Sequence, residues 1–152
     1  MKKNQWIFAI CFLLPAAAFA QTAAEIEKLL ETEAVSYEQA AWFVLEAAGI
    51  PANSPEAFGR SEAFSFAAQQ RWMPPKAAPQ NKASLEGVSL LIMKSFGIRG
   101  GLFYSLLKSP HYAYREMVYK DIIQGRADPQ MPVSGDLLLF LVNRVLSRME
   151  EQ

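Results

Sequence analysis

The sequence predicts an all-α chain. Serine-led segments at Ser36, Ser84 and Ser134 each open a run whose apolar residues recur at helical spacing, and Gly49 and Gly97 stop two of those runs. No stretch alternates apolar and polar residues for long enough to propose a strand.

The first twenty residues follow different rules. Lys2 and Lys3 give a positive start, Trp6 to Leu14 an apolar core, and Ala18-Phe19-Ala20 a small-residue cleavage site. Residues 1–20 are therefore expected to be a cleavable signal peptide, and residues 21–152 a single helical domain exported to the periplasm or cell surface. A membrane anchor is the alternative, but the apolar run is shorter than the roughly 20 residues that span a bilayer, and Pro15 follows it. Cys11 is preceded by Ile10, where a lipid-attachment site would have a small residue, and it is the only cysteine. Residues 21–152 thus hold no thiol for a disulfide, a thiolate metal site or a nucleophile. Cleavage takes Lys2 and Lys3 from the 15 basic residues and nothing from the 15 acidic ones, leaving a net charge of about −2 that gives no reason to expect a nucleic-acid partner. Leu137 to Val142 is bounded by Asp136 and Arg144, so no integral membrane segment is expected after cleavage.

Thr22-Ala-Ala-Glu25 has the form of a capping box, and Ile26, Leu29 and Leu30 fall on one face of a helix expected over about 23 to 33. Ser36-Tyr-Glu-Gln39 repeats the pattern ahead of Ala40, Ala41, Val44, Leu45 and Ala48. Ser54-Pro55 and Ser109-Pro110 each read as a cap followed by proline in the first turn, where its missing N–H costs nothing. Short helices are expected over about 55 to 59, 62 to 71, 102 to 108 and 111 to 120, and Trp72 to Lys82, with three prolines, is expected to be a loop. Ser84 opens a helix carrying Val88, Leu91, Ile92 and Phe96, and Ser134 opens one with Leu137, Leu138, Leu141, Val142, Val145 and Leu146 on a broad face.

Comparing the chain with itself exposes a repeat. Shifted by 50 residues, Ala77-Ala-Pro-Gln-Asn-Lys-Ala-Ser-Leu-Glu86 lies on Ala127-Asp-Pro-Gln-Met-Pro-Val-Ser-Gly-Asp136; shifted by 48, Val35-Ser-Tyr-Glu38 lies on Ala83-Ser-Leu-Glu86 and Gly49-Ile50 on Gly97-Ile98. The repeat cores are about 35–50, 54–98 and 109–148. Any two serine-capped amphipathic helices look somewhat alike, but three near-equal spacings argue for repetition.

Val35-Ser-Tyr-Glu-Gln39, Ala83-Ser-Leu-Glu-Gly87 and Val133-Ser-Gly-Asp-Leu137, with Asp121-Ile-Ile-Gln-Gly125 before Pro129, resemble the turns of the S-layer homology (SLH) family. That resemblance implies a three-repeat, pseudo-trimeric helical bundle of long helices at about 37 to 48, 85 to 96 and 135 to 149, with short peripheral helices and proline-containing loops as lobes. It also implies a cell-wall polymer as ligand, held in clefts between repeats. The family's turn arginine is replaced here by Tyr37, Leu85 and Gly135, its threonine by serine, and its final glutamate by Gln39, Gly87 and Leu137. A protein-interaction adaptor without polymer binding is the alternative expectation.

Candidate ligand-binding residues are Trp72, Lys76, Ser84, Gly125, Arg126 and Ser134. Gly125-Arg126 joins a backbone that a ligand can approach to a planar cationic fork, Lys76 sits at the equivalent of Arg126, and Trp72 could stack on a sugar. Ser84 and Ser134 are most simply helix caps, and Glu38, Glu86 and Asp136 suit the positive end of a helix. His111 is the only histidine, with no cysteine to join it, so no metal site, cofactor or catalytic residue is expected. Gly97-Ile-Arg-Gly-Gly101 lacks the lysine and hydroxyl residue of a phosphate loop and reads as a helix stop.

Overall fold

The computed structural model describes residues 15–50, 58–125 and 127–151. Among the described residues the chain forms α-helices and no strand: α1 (Pro15–Leu30), α2 (Tyr37–Ala47), α3 (Arg60–Gln69), α4 (Leu85–Ser95), α5 (Leu102–Leu107), α6 (Pro110–Tyr119) and α7 (Gly135–Glu150).

Ser36, Ser84 and Ser109 cap their helices as their spacing implies, and Ser134 does not. Ser36 accepts from the Gln39 N–H while the Gln39 side chain accepts from the Ser36 N–H, a reciprocal box that satisfies two otherwise orphaned donors. Ser84 accepts from the Gly87 N–H, and Ser109 from the Tyr112 N–H with Pro110 in the first turn. Ser134 has the same extended backbone, but its hydroxyl donates to the Asp136 carboxylate instead.

Helix ends are equally local. Gly49 (φ 70°) and Gly97 (φ 62°) turn left-handed, which brings the N–H of Ile50 onto the Leu45 carbonyl and that of Ile98 onto the Met93 carbonyl. Helices α3 and α6 close by the same bond, Trp72 N–H to Ala67 and Ile122 N–H to Met117, yet their left-handed residues are Arg71 (φ 59°) and Asp121 (φ 53°).

Two expectations change. Helix α1 starts at Pro15 and ends at Leu30, so Thr22 lies inside a helix rather than at its start; the alanine-rich run around it contains no breaker, and the helix propagates through it. Helix α3 spans Arg60–Gln69 where 62 to 71 was expected, because Gly59 serves as its N-cap. Of the short helix expected over 55 to 59, residues 55–57 lie outside the described residues, and Phe58 and Gly59 are not helical. Most of the expected signal peptide, residues 1–14, also lies outside them.

The residues just before the three serine caps meet at one point. The Val35 N–H donates to the Val133 carbonyl (2.8 Å), the Val133 N–H to Ala83 (3.0 Å), and the Ala83 N–H back to Val35 (2.8 Å), a closed ring of backbone hydrogen bonds among three fully buried residues. Outside the ring, each proline-containing loop caps a long helix. The Tyr37 and Glu38 N–H groups donate to Asn81 and Pro79, the Leu85 and Glu86 N–H groups to Met131 and Pro129, and the Gln80 and Gln130 side chains donate to the Glu38 and Glu86 carboxylates. For α7 the cap comes from the other end of the chain, with the Gly135 N–H on the Thr32 carbonyl at 2.9 Å.

Around this hub α2 packs on α3, α4 and α7, α4 on α6, and α1 on α7. Leu45, Leu85, Leu91, Ile92, Met117, Leu138 and Leu141 are fully buried. Each such side chain contributes about 1.5–3 kcal/mol through removal from water, so the core needs no covalent tie. No described helix is long and apolar enough to cross a membrane.

Candidate functional site

The sequence-predicted site residues do not gather in one place. Ser84 is tied up in the hub, where its hydroxyl lies 3.1 Å from the Tyr37 hydroxyl. Ser134 is engaged with Asp136. Hydrogen bonding to the Ser134 hydroxyl, and then to the Leu137 N–H, holds the Asp136 carboxyl below the usual carboxylate range. Lys76 is exposed on the proline loop. Gly125 is left-handed (φ 77°) with open space where a Cβ would stand, and Arg126 lies outside the described residues. Trp72 is half-buried, its ring edge-on to Phe66 at 5.5 Å, which in turn meets Phe58 at 5.8 Å. The indole is thus committed to packing between α3 and its loop.

The tyrosines of α5 and α6 are likewise spread over separate environments. Tyr104 is buried, Tyr112 stacks on Phe103, the Tyr114 hydroxyl donates to the Ala127 carbonyl (2.6 Å), and Tyr119 is exposed. His111 lies 4.0 Å from the Glu86 carboxylate, a contact that becomes an ion pair only when the imidazole is protonated. Among the described residues no group of three or more His, Cys, Asp or Glu could hold a metal ion.

Among the described residues, two clefts are roomy enough to lodge a ligand. One, of about 480 Å³, lies at the C-terminal ends of α4, α6 and α7; Phe96, Ile98, Ile122 and Met149 line it together with Arg99, Lys120 and Arg148. Three helix C-termini converge there, and cations at C-termini are what the helix dipole favours without any ligand.

The other cleft, of about 520 Å³, opens between the end of α3, the proline loop and the α5–α6 junction. Met73, Pro74, Pro75, Leu90 and Pro110 form its apolar walls, and Arg71 and Lys108 supply its charge. Both cations are exposed, and both sit in left-handed backbone, Arg71 at φ 59° and Lys108 at φ 44°. An L-residue in that conformation costs roughly 1–2 kcal/mol, and glycine, used at the ends of α2 and α4, would avoid the strain. Apolar walls below two cations suit a ligand that is anionic and carries C–H faces, such as an acidic or phosphorylated saccharide.

Sequence reasoning named Trp72 and passed over its neighbour Arg71. The available signal was the end of α3 with a cation where a helix usually stops on glycine. Lys108 carried a similar signal, one residue before the Ser109-Pro110 cap.

No protein-family model, no curated protein and no solved structure matches the chain.

Proposed function

We propose that this chain is an exported, non-enzymatic cell-envelope module built of three SLH-like repeats, which holds an anionic cell-wall polymer in the cleft between the end of α3 and the α5–α6 junction. The observation that carries the reading is that cleft, with Arg71 and Lys108 held over apolar walls at a backbone cost. The closed hydrogen-bond ring of Val35, Ala83 and Val133 supports the three-repeat reading, since a cycle of three equivalent bonds is what three equivalent units around one axis would make. So does the paired role of Pro79-Gln80 and Pro129-Gln130, which match under the 50-residue shift and cap successive long helices. The third unit would be closed by α1, which packs on α7 and whose trailing Thr32 caps it. Lys2, Lys3, the apolar run and Ala18-Phe19-Ala20 support export; cleavage after Ala20 would leave residues 21–30 of α1 to make that contact.

In this reading the cations bind carboxylate or phosphate groups of the polymer, and the prolines and Met73 cover the C–H faces of its sugars. Sedimentation with purified cell-wall sacculi tests it, using an Arg71→Gly/Lys108→Gly chain as the control. Glycine removes the charge and suits the left-handed backbone, so the control is expected to stay folded. Wild-type protein should pellet with sacculi at low salt and be released by high salt, and the double variant should bind roughly tenfold more weakly or worse, a difference of about 1.4 kcal/mol. Folded wild-type protein that stays in the supernatant, or a double variant that pellets equally well, overturns the proposal.

A further inference from the structure

Helix α5 is built against the usual logic of a soluble surface. Leu102, Phe103, Leu106 and Leu107 are 79%, 65%, 76% and 53% exposed, four large apolar side chains on a six-residue helix. The described fold leaves more than half of each side chain uncovered. The helix is nevertheless firmly placed. Tyr104 is buried beneath it, its ring lying across Gly100 where a Cβ would collide, and Phe103 stacks on Tyr112 at 6.0 Å.

Cations stand at both ends of α5 and beside it. Arg99 precedes α5, Lys108 ends it, and the Lys94 ammonium lies 5.9 Å from the centre of the Tyr104 ring. Burial, and then the nearby positive charge of Lys108, push the Lys94 amine below its ordinary range. Glu116 of α6 lies against Gly101 and, after burial, helps to raise the Tyr104 phenol, and Glu86 stands farther off, beyond Tyr112, beside His111. Lys94, Arg99 and Lys108 put positive charge at the α5 edge of the patch.

The size and shape of the patch decide what can cover it. A six-residue helix is about 9 Å long and cannot supply the roughly 800 Å² per partner that a stable protein complex buries. A helix-binding groove reads anchors spaced over two turns or more, and six-residue α5 does not complete two. A lipid surface demands neither area nor a complementary groove; it takes apolar side chains at the acyl boundary and cations at the phosphates.

We propose that α5 is a membrane-surface anchor, with Leu102, Phe103, Leu106 and Leu107 entering the boundary of an anionic bilayer while Lys94, Arg99 and Lys108 meet the lipid phosphates. The anchor does not depend on polymer binding: Lys108 serves both surfaces, but the four apolar side chains reach lipid whether or not a polymer is held.

The test places a reporter on α5 itself, so that adhesion through Trp6 to Leu14 is not mistaken for it. The full chain carrying Cys11→Ser and Leu106→Cys is labelled with an environment-sensitive fluorophore and mixed with vesicles rich in phosphatidylglycerol or made of phosphatidylcholine alone. Phosphatidylglycerol vesicles should shift the emission to the blue, salt should reverse the shift, and phosphatidylcholine should give little. Adding Leu102→Ser and Phe103→Ser should weaken partitioning at least roughly tenfold with the circular dichroism unchanged, since the buried Tyr104 still holds α5 in place. A reporter that stays in water on anionic vesicles, or responds equally to neutral ones, overturns the proposal. So does a blue shift without lipid that grows with protein concentration, which would assign the patch to a second copy of the chain.

Discussion

Helices α4 and α5 are both rich in leucine and stand only six residues apart, yet they lead opposite lives. In α4, Leu85, Val88, Leu90, Leu91, Ile92 and Met93 are all buried, and even Ser89 is enclosed, its hydroxyl donating to the Leu85 carbonyl at 2.7 Å. In α5 only Tyr104 is buried, and its leucines face outward. The difference lies in what surrounds each helix rather than in its own composition. Helix α4 begins in the hydrogen-bonded hub and is walled by α2 and α6, whereas α5 hangs from Gly100-Gly101 and touches α6 alone among the stronger helix contacts. Apolar character in α4 therefore serves stability, and in α5 it is free to serve something else.

Alanine substitution is the sharpest way to break that comparison. Leu91→Ala should destabilise the protein by about 2–5 kcal/mol, the transfer loss plus the cavity left in a packed core, whereas Leu106→Ala should change stability by no more than about 0.5 kcal/mol. Urea titration followed by circular dichroism measures both. Equal effects would mean that α5 is packed in a way the structure does not show. Next in size is Gly135→Ala at the start of α7. The Cβ would overlap the Leu29 carbonyl oxygen, so α1 and α7 must separate, with an expected cost of about 1–3 kcal/mol. Loss of the α1 contact should also speed hydrogen exchange at the Gly135 amide, which now donates to Thr32.

The three equivalent serines extend the comparison into the hub. Ser36→Ala and Ser84→Ala each remove a side-chain acceptor from a helix N-terminus, and each should cost about 1 kcal/mol by thermal or chemical denaturation. Ser84→Ala should be the larger of the two, because it also takes the side-chain partner from the part-buried Tyr37 hydroxyl and leaves it only the long 3.4 Å bond from the residue-84 N–H. Ser134→Ala removes no bond to the backbone of α7 and should cost less than either. A reversed order would show that sequence equivalence, rather than the observed hydrogen bonds, governs these caps.

Much of this fold was legible before any coordinates, because the signals were local. Ser36, Ser84 and Ser134 mark helix starts by hydrogen bonds within three residues, and Gly49 and Gly97 mark ends by a backbone conformation that favours glycine. The match between Ala77-Ala-Pro-Gln80 and Ala127-Asp-Pro-Gln130 was legible as a pattern but not as chemistry. Pro79 and Pro129 act through carbonyls directed at helices 41 and 43 residues earlier in the chain, at Glu38 and Glu86. The start of α1 was misplaced because Thr22-Ala-Ala-Glu25 satisfies a local capping rule inside a run that prefers to stay helical. The cleft and the exposed face of α5 were hidden for a third reason. Both depend on what is absent around Arg71, Lys108 and Leu106, and the vacancy of neighbouring space is a tertiary property that periodicity does not encode.

The smallest predicted effect concerns Asp136, and it turns on sign. Its carboxyl is exposed, and its folded pKa is lowered chiefly by the Ser134 hydroxyl, with smaller help from the Leu137 N–H and its own. A carboxyl whose pKa is depressed in the folded state favours folding above its unfolded value, near 3.9, and that contribution disappears as pH falls through the folded pKa. Asp136→Asn should therefore be less stable than wild type at neutral pH, and the two stability curves should converge on acidification. Because Ser134 donates to Asp136 rather than accepting from α7, Ser134→Ala should weaken the same pH dependence, whereas Ser84→Ala should leave it unchanged. Parallel curves for Asp136→Asn and wild type down to acid pH would mean that the carboxylate makes no such bond in solution, and would leave the third helix start without the side-chain support that the other two possess.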